Sequence, residues 1–194
     1  MSGIRIKSRV GDRRPKRTRV ALREAFLGLL GERGYTSIQV SDIVEKANVA
    51  RSTFYEHYKS KDDMLLESMS GIYVAMAGIV EKDFKLESLV ALLHHFWENR
   101  RLARELLTVS GTLGPRNGTQ HLASALEERL VAQFRVKKKR PMVPFSVAAT
   151  LVVEGTMALL RDWLLGRVAC RPSVLAKAIS AGALASTAAI LATR

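Results

Sequence analysis

Residues 41–61, SDIVEKANVARSTFYEHYKSK, contain a short apolar stripe, a polar turn and the start of a second stripe. The first stripe has the spacing i, i+3, i+4 and i+7, which predicts one buried face on a short helix. Its members are Val40, which directly precedes this stretch, and Ile43, Val44 and Ala47. Asn48 follows, and asparagine tolerates the left-handed backbone conformation that commonly ends a helix. The stretch therefore predicts a helix that stops at a tight turn.

A second short helix is predicted directly after this turn. Arg51, Ser52 and Thr53 are polar residues that suit its first turn, and Phe54 is placed to share a core with Ile43. Two short helices joined by about three or four residues form a helix-turn-helix, whose second helix docks in the major groove of DNA. We therefore expect the second helix to carry side chains that face DNA.

The run NVARSTFYEHYKSKDDML, residues 48–65, resembles the TetR family of repressors. The matching features are an Asn-Val step, a small polar pair, an aromatic pair, a histidine, a further aromatic residue and a Ser-Lys step. In this chain they are Asn48-Val49, Ser52-Thr53, Phe54-Tyr55, His57, Tyr58 and Ser60-Lys61. The resemblance covers roughly residues 16–70. It implies a homodimeric regulator, most often a repressor, with an amino-terminal DNA-binding domain and a helical second domain.

The predicted fold class is all-α, because the 194 residues contain only five prolines and no alternating, strand-like runs. We expect an amino-terminal three-helix DNA-binding domain, joined by a long helix to a carboxy-terminal helical regulatory and dimerisation domain. The expected parts are a flexible basic arm over residues 1–15, the DNA-binding domain over 16–62 and the effector-binding and dimerisation domain over 63–194.

Apolar periodicity and loop-forming residues predict the boundaries of several elements. Ser60 is a natural N-cap for the long fourth helix, and the aspartates that follow suit the positive end of its dipole. The predicted helices lie at about residues 17–32, 145–165 and 173–191, and the predicted connectors at 110–119 and 135–144.

The formal net charge of +13 is concentrated near the amino terminus. The first 19 residues hold eight basic residues and one acidic residue, Asp12. This balance favours polyanions, with double-stranded DNA first among them. The arm would add phosphate contacts or reach the minor groove, or it is simply a solvated tail. Together with the basic run at residues 137–140, it keeps a sequence-nonspecific architectural DNA-binding protein as the alternative function.

Several sequence features indicate a cytoplasmic protein with no membrane partner. The single Cys170 leaves no intramolecular disulfide and suits a reducing compartment. The first residues lack the apolar core of a signal peptide. The best candidate for a membrane span, residues 147–165, is interrupted by Glu154, Arg161 and Asp162. We therefore expect no apolar run close to the roughly 18 residues that a span requires.

Base contacts select a DNA sequence, and three residues of the second helix are candidates for them. Arg51 can donate two hydrogen bonds to one guanine, Ser52 is small enough to lie beside a base, and Glu56 can accept a bond from cytosine. The alternatives are a phosphate anchor for Arg51 and a solvated charge for Glu56. The TetR resemblance places base contacts at these three positions.

Phosphate contacts position the protein on DNA, and seven residues are candidates: Ser37, Gln39, Thr53, Tyr55, His57, Tyr58 and Lys61. If Phe54 is buried, Tyr55 faces outward, because adjacent residues point about 100° apart on a helix. The resemblance assigns a phosphate contact to Tyr55 and Lys61. For His57 and Tyr58 the alternative is packing between helices, and for the first two candidates it is capping of the first short helix.

The predicted second domain has more apolar residues than a thin bundle needs, so we expect a cavity between its helices for a small-molecule effector. The candidates for its wall are Tyr73, Met76, Phe96, Trp97 and Met157, and for each of them ordinary core packing is the alternative. Glu154 interrupts an apolar run, where an acid is costly unless paired or exposed. It could bind a cationic effector, pair with an arginine across a dimer interface or face water.

The last two predicted helices are rich in small residues, which would let facing helices approach closely. The predicted dimer interface consists of Ala148, Gly155, Leu159, Trp163, Leu175, Ile179 and Ala185. Two helices from each subunit would form a four-helix bundle around a two-fold axis, as the TetR resemblance also implies. The two recognition helices would then lie about one DNA turn apart, so a near-palindromic operator is expected.

The sequence favours a regulator over an enzyme. His94 and Glu98 are one helical turn apart and could hold a metal, but a polar helix face explains them as well. A helical enzyme that uses this pair is the remaining rival. The sequence has no glycine-rich phosphate loop and no recognisable nucleophile elbow. We predict no enzymatic activity, no cofactor and no metal.

Overall fold

The structure is a computed structural model that describes residues 13–81, 83–112, 116–137 and 141–191. All regular elements within these ranges are helices, which confirms the all-α prediction. They are α1 (Arg13–Arg33), α2 (Val40–Lys46), α3 (Arg51–His57), α4 (Lys61–Ala77), a 3-10 turn (Gly78–Val80), α5 (Leu86–Glu98), α6 (Arg100–Thr112), α7 (Arg116–Lys137), α8 (Phe145–Leu164) and α9 (Pro172–Ile190). The chain divides into two compact units between Met64 and Leu65.

The amino-terminal unit is held together by one apolar cluster. Leu22 and Phe26 of α1, Ile43 of α2 and Phe54 of α3 are all completely buried. Full burial of side chains of this kind stabilises a fold by about 1.5–3 kcal/mol each. Tyr35 closes the cluster, with its ring edge-on to Phe26 at 6.5 Å. The two short helices therefore depend on the longer α1 for their stability.

The turn between α2 and α3 has the backbone that its sequence predicts. Asn48 has φ 52°, in the left-handed region that asparagine tolerates better than most residues. The N–H of Val49 then bonds to the carbonyl of Val44 at 3.0 Å and closes the end of α2. This single residue turns the chain and sets the angle at which α3 begins.

The start of α4 is capped as predicted. Ser60 Oγ accepts the N–H of Asp63 at 3.2 Å, and the Asp63 carboxylate accepts the N–H of Lys59 at 3.1 Å. The first bond satisfies one backbone donor that the helix itself leaves unpaired, and the second ties the residue before the cap to the first turn.

Three predicted boundaries are wrong because helices extend further than expected. α1 begins at Arg13, so residues 13–15 of the predicted arm are helical, while residues 1–12 lie outside the described ranges. α6 continues to Thr112 and α7 starts at Arg116, inside the loop predicted at residues 110–119. Glycines do not stop a helix when the residues around them continue it.

The carboxy-terminal unit has its core between α5, α7, α8 and α9. Trp163 of α8 is its largest fully buried side chain, and its indole N–H donates to the carbonyl of Cys170 at 2.9 Å. At another point Arg129 of α7 pairs with Glu81 at 2.7 Å. Gln133 donates to the carbonyl of Val80 at 3.0 Å, so the same face of α7 also holds the end of the 3-10 turn.

Two segments are long and apolar enough to cross a membrane by length and composition alone: Lys61–Val80 and Pro172–Ile190. The expectation that no run approaches a membrane span is therefore wrong by this measure. Core helices of water-soluble proteins pass the same test, and Leu175 and Ile179 of α9 are indeed buried in the core of the carboxy-terminal unit.

Candidate nucleic-acid interface and ligand cavity

Helix α3 has one buried face and one exposed face. Phe54 and Tyr58, four residues apart, are 0% and 5% exposed and pack with ring centroids 5.8 Å apart. The opposite face carries the exposed side chains of Arg51, Ser52, Tyr55 and Glu56. The three predicted base-contacting residues and one phosphate candidate thus share a single surface, which we call the α3 face.

Arg51 and Tyr55 form a contact on this α3 face. The Arg51 guanidinium lies 5.8 Å from the centroid of the Tyr55 ring, and its Nη2 donates to the Tyr55 hydroxyl at 3.4 Å. The Tyr55 ring in turn stands edge-on to the buried Phe54 at 5.4 Å. The buried ring therefore supports the tyrosine, and the tyrosine holds the arginine near the start of α3.

Thr53 and His57 are half-buried and flank the α3 face. Their positions differ from those of Arg51 and Tyr55, because each lies closer to the packed side of the helix. A half-buried side chain at the margin of a helix can still present a polar atom to a phosphate.

The structure corrects two predicted phosphate contacts. Tyr58 belongs to the buried cluster, as the packing alternative holds. The Lys61 ammonium points inward: it donates to the carbonyls of Tyr35 at 3.0 Å and Ile38 at 2.7 Å, and it lies 4.4 Å from the centroid of the Tyr35 ring. Lysine is a flexible donor with three protons, and here it ties α4 to the loop before α2.

Ser37 and Gln39 lie in that loop and are exposed. The Ser37 hydroxyl donates to the carbonyls of Arg33 at 2.8 Å and Gly34 at 3.2 Å, so it satisfies the end of α1. The N–H of Gln39 donates to the Asp42 carboxylate at 2.8 Å at the start of α2. Both residues have capping roles, and the serine caps α1 rather than α2.

The carboxy-terminal unit contains a cavity of about 130 Å³. Its wall is formed by residues of α4, α5, α6, α7 and α8: Met69, Ile72, Tyr73, Met76, His95, Phe96, Asn99, Leu102, Ala103, Leu106, Gly118, Thr119, Met157, Leu160 and Leu164. Four predicted wall residues, Tyr73, Met76, Phe96 and Met157, are brought together there. Among the described residues that line this cavity, none is a lysine, arginine, aspartate or glutamate.

The remaining wall candidate, Trp97, and the candidate effector contact Glu154 lie elsewhere. Trp97 is 40% exposed, stacks on Trp163 with ring centroids 4.9 Å apart, and is covered by the Arg100 guanidinium at 5.6 Å. Glu154 is exposed on α8. Water solvates the Glu154 carboxylate, so the acid carries no burial cost in an apolar run.

The predicted dimer interface also needs correction. Ala148, Trp163, Leu175 and Ile179 are buried in the core of their own chain and have no surface left for a partner. Gly155 and Ala185 are exposed and Leu159 is half-buried. The predicted residues all belong to α8 and α9, but some lie on buried faces and others on exposed faces. The content of small residues does not distinguish these faces.

His94 and Glu98 are both exposed on α5. In the part of the chain that the structure describes, no group of three or more His, Cys, Asp or Glu side chains is placed to hold a metal ion. The pair has the surroundings of an ordinary polar helix face.

Sequence reasoning missed three polar residues of the cavity, His95, Asn99 and Thr119. His95 and Asn99 are one turn apart on α5, and the Asn99 amide donates to the His95 carbonyl at 3.0 Å and lies 3.3 Å from His95 Nδ1. Their i, i+4 spacing was visible in the sequence. What the sequence does not show is that Thr119 and Met69 complete the same wall from other helices.

Comparisons with known proteins support the helix-turn-helix of the amino-terminal unit. Residues 22–68 match the model of the bacterial regulatory proteins of the tetR family. An uncharacterized HTH-type transcriptional regulator of Bacillus subtilis (strain 168), YxbF, is 48% identical over 64 residues. Those residues are 32% of this chain and 17% of the YxbF protein, so the chain covers only a small part of that relative.

Solved structures extend the similarity beyond the amino-terminal unit. The TetR transcriptional regulator from Streptococcus agalactiae 2603V is 29% identical with a TM-score of 0.58, over 90% of this chain and 97% of that one. Thermus thermophilus FadR, a TetR-family repressor in complex with lauroyl-CoA, has a TM-score of 0.63 at 15% identity, over 86% and 93% of the two chains. The family match over residues 22–68 and the fold shared with these regulators support the prediction of a TetR-family transcriptional regulator.

Proposed function

We propose that this chain is a transcriptional repressor that binds a palindromic operator as a homodimer and is released from it by a small-molecule effector. The observation that carries this proposal is the exposed α3 face. Arg51, Ser52, Tyr55 and Glu56 stand together on the second helix of a helix-turn-helix. A helix of this kind docks in the major groove and contacts base edges with its first residues.

The proposed roles follow from position on α3. Arg51, Ser52 and Glu56 contact bases, and Arg51 is suited to guanine because its guanidinium offers two parallel donors. Tyr55 gives its hydroxyl to a phosphate. Thr53 and His57 contact phosphates at the margins of the same face.

We propose that the dimer forms through the exposed sides of α8 and α9. Large apolar side chains are exposed there, and they are Val147, Leu151, Val174 and Leu184. Small exposed residues such as Gly155 and Ala185 lie on the same helices and permit close approach. Exposed apolar surface of this kind marks association sites, and a two-fold axis accounts for a palindromic operator.

Effector release is proposed to work as a population shift. The effector binds the cavity of the carboxy-terminal unit and favours a spacing of the two recognition helices that no longer matches the operator. Helix α4 is continuous from Lys61 to Ala77, so it includes the division between the two units. Thermus thermophilus FadR, which shares the fold, is a complex with lauroyl-CoA, which supports a ligand site in proteins of this architecture.

The remaining features of the proposal concern the domains and the setting. The DNA-binding domain occupies residues 16–62, preceded by a basic arm that adds phosphate contacts, and the effector-binding and dimerisation domain occupies residues 63–194. We propose a non-enzymatic protein that acts in the cytoplasm.

The decisive experiment is selection of DNA fragments by the full-length protein from a random pool, at physiological salt. We expect one near-palindromic motif, with half-sites about one helical turn apart. Specific sites should bind on the order of 10³-fold or more tighter than random DNA. Selection of no motif, with equally tight binding to every fragment, would contradict the proposal and favour an architectural protein driven by the net charge of +13.

A further inference from the structure

We propose that the cavity takes an uncharged, mainly apolar molecule the size of one substituted ring, whose acceptor oxygen binds the Tyr73 hydroxyl. This inference rests on the proposed function, because it names the class of effector that the cavity admits. It follows from the charge and size of the cavity and from the Tyr73 hydroxyl, whose hydrogen-bond acceptor is a thioether.

The lining excludes charged ligands. The described residues of the wall include no aspartate, glutamate, lysine or arginine. Their polar groups are the phenol of Tyr73, the imidazole of His95, the amide of Asn99 and the hydroxyl of Thr119. An ion that enters this cavity loses part of its hydration and meets no carboxylate, ammonium or guanidinium of opposite charge, which disfavours its binding. A neutral ligand avoids this cost.

The volume sets the size of the ligand. The cavity measures about 130 Å³. An apolar cavity of about 150 Å³ accommodates benzene, so this one limits the ligand to about one ring with a small substituent. Three thioethers in the wall, those of Met69, Met76 and Met157, can adapt to the shape of a ring and make favourable sulfur–aromatic contacts.

The Tyr73 hydroxyl determines how the ligand is oriented in the cavity. The residue is 7% exposed, and its hydroxyl donates to Met69 Sδ at 3.5 Å, a weak acceptor. Burial raises the pKa of the Tyr73 phenol, so the group stays protonated and remains a donor at neutral pH. A buried hydroxyl gains more from an oxygen acceptor than from a thioether, and a carbonyl, hydroxyl or ether oxygen on the ligand would provide one.

Gly118 keeps room for this hydroxyl. A Cβ atom at position 118 would lie 2.5 Å from the Tyr73 oxygen, closer than any unstrained contact. The glycine lies near the start of α7, although alanine has the higher helix propensity. The close approach gives a reason for glycine that the helix itself does not.

The test uses three probes of nearly equal shape: acetophenone, isopropylbenzene and benzoate. They differ in the group beside the ring, which is a ketone, a hydrocarbon branch or a carboxylate. Binding to the full-length dimer is measured by calorimetry. We expect acetophenone to bind about tenfold more tightly than isopropylbenzene, as one buried hydrogen bond allows, and benzoate to bind more weakly than either.

The methionine methyl groups locate the probe. In methyl-labelled protein, the NMR signals of Met69, Met76 and Met157 should shift on titration with acetophenone. Met64, in the core of the amino-terminal unit, and the exposed Met142 serve as internal controls and should not shift.

Two variants test the hydrogen bond between the Tyr73 hydroxyl and the ketone oxygen of acetophenone. Tyr73→Phe should reduce acetophenone binding to the level of isopropylbenzene and leave isopropylbenzene binding unchanged. Gly118→Ala should abolish the same preference by displacing the hydroxyl. Tyr35→Phe removes a buried phenol hydroxyl from the amino-terminal unit and should leave all three affinities unchanged.

The proposal is overturned if none of the three probes binds saturably, if benzoate binds as tightly as acetophenone, or if Tyr73→Phe keeps the preference for the ketone. Operator binding is measured separately. A probe that binds the cavity without changing operator affinity would contradict effector release and leave the ligand class standing. A protein that selects no operator would contradict the proposed function, and the ligand class would still stand if the probes bind as expected.

Discussion

The amino-terminal unit carries its candidate functional groups on an exposed surface, whereas the carboxy-terminal unit carries them in the wall of a cavity. The amino-terminal unit buries Phe54 and Tyr58 and presents the polar α3 face to solvent. The carboxy-terminal unit buries Tyr73 in the wall of a mainly apolar cavity. A surface that meets a polyanion needs exposed donors, whereas a pocket for a small apolar molecule needs few polar groups and little water.

The largest expected effect distinguishes the buried side chain that stabilises α3 from the exposed side chain that is proposed to contact DNA. Phe54→Ala removes a completely buried ring and should destabilise the amino-terminal unit by about 3–5 kcal/mol, a large part of the stability of a typical domain. Tyr55→Ala removes an adjacent, half-exposed ring and should change stability by about 1 kcal/mol or less. Denaturant titration followed by circular dichroism measures both, and equal destabilisation by the two changes would refute the assignment of the faces.

A second comparison tests the inward orientation of Lys61. Lys61→Met removes the donor to two backbone carbonyls and should cost about 1.5–3 kcal/mol of stability. Lys59→Met alters an exposed neighbour and should leave stability within about 0.5 kcal/mol. The salt dependence of DNA binding distinguishes the roles. A drop of about 0.9 in the slope of log K against log salt for Lys61→Met would show a phosphate contact instead.

Base recognition by Arg51 predicts a smaller, sequence-dependent effect. Arg51→Ala should relax the preference at one base position of the selected motif by about 1–3 kcal/mol and leave the other positions unchanged. Arg101→Ala removes the same charge from an exposed position of the carboxy-terminal unit and should leave the motif intact. Competition binding with single-base variants of the operator measures this, and uniform weakening across all variants would make Arg51 a phosphate anchor.

The smallest expected effect is the pH dependence of a surface ion pair. Lys46 donates to the Glu32 carboxylate at 2.6 Å and holds its pKa below the ordinary value of 4.5. A carboxyl with a lowered pKa in the folded state stabilises the protein above its unfolded pKa and loses that contribution as the pH falls through the folded one. Glu32→Gln should therefore lower the melting temperature slightly at neutral pH, and the difference should vanish below the lowered pKa. A difference that persists in strong acid would show that another interaction is responsible.

The success of sequence reasoning follows the range of the interactions involved. The turn at Asn48, the cap at Ser60 and the outward orientation of Tyr55 each depend on residues within one or two helical turns. Periodicity and capping rules describe such local effects well. These rules did not predict the inward orientation of Lys61, because its partners, Tyr35 and Ile38, lie more than 20 residues earlier in the chain.

For the carboxy-terminal unit, composition predicted helices, a cavity and four of its wall residues, but it did not separate buried from exposed faces. Trp163 and Ile179 were as suitable for a dimer interface as for a core until neighbouring helices covered them. The helix-turn-helix and its outward face were determined by the amino-acid sequence itself, because one period of 3.6 residues decides which side chains are buried. Only the tertiary structure decided that Tyr73, Asn99 and Met157 share one cavity, because residues on separate helices meet only through packing.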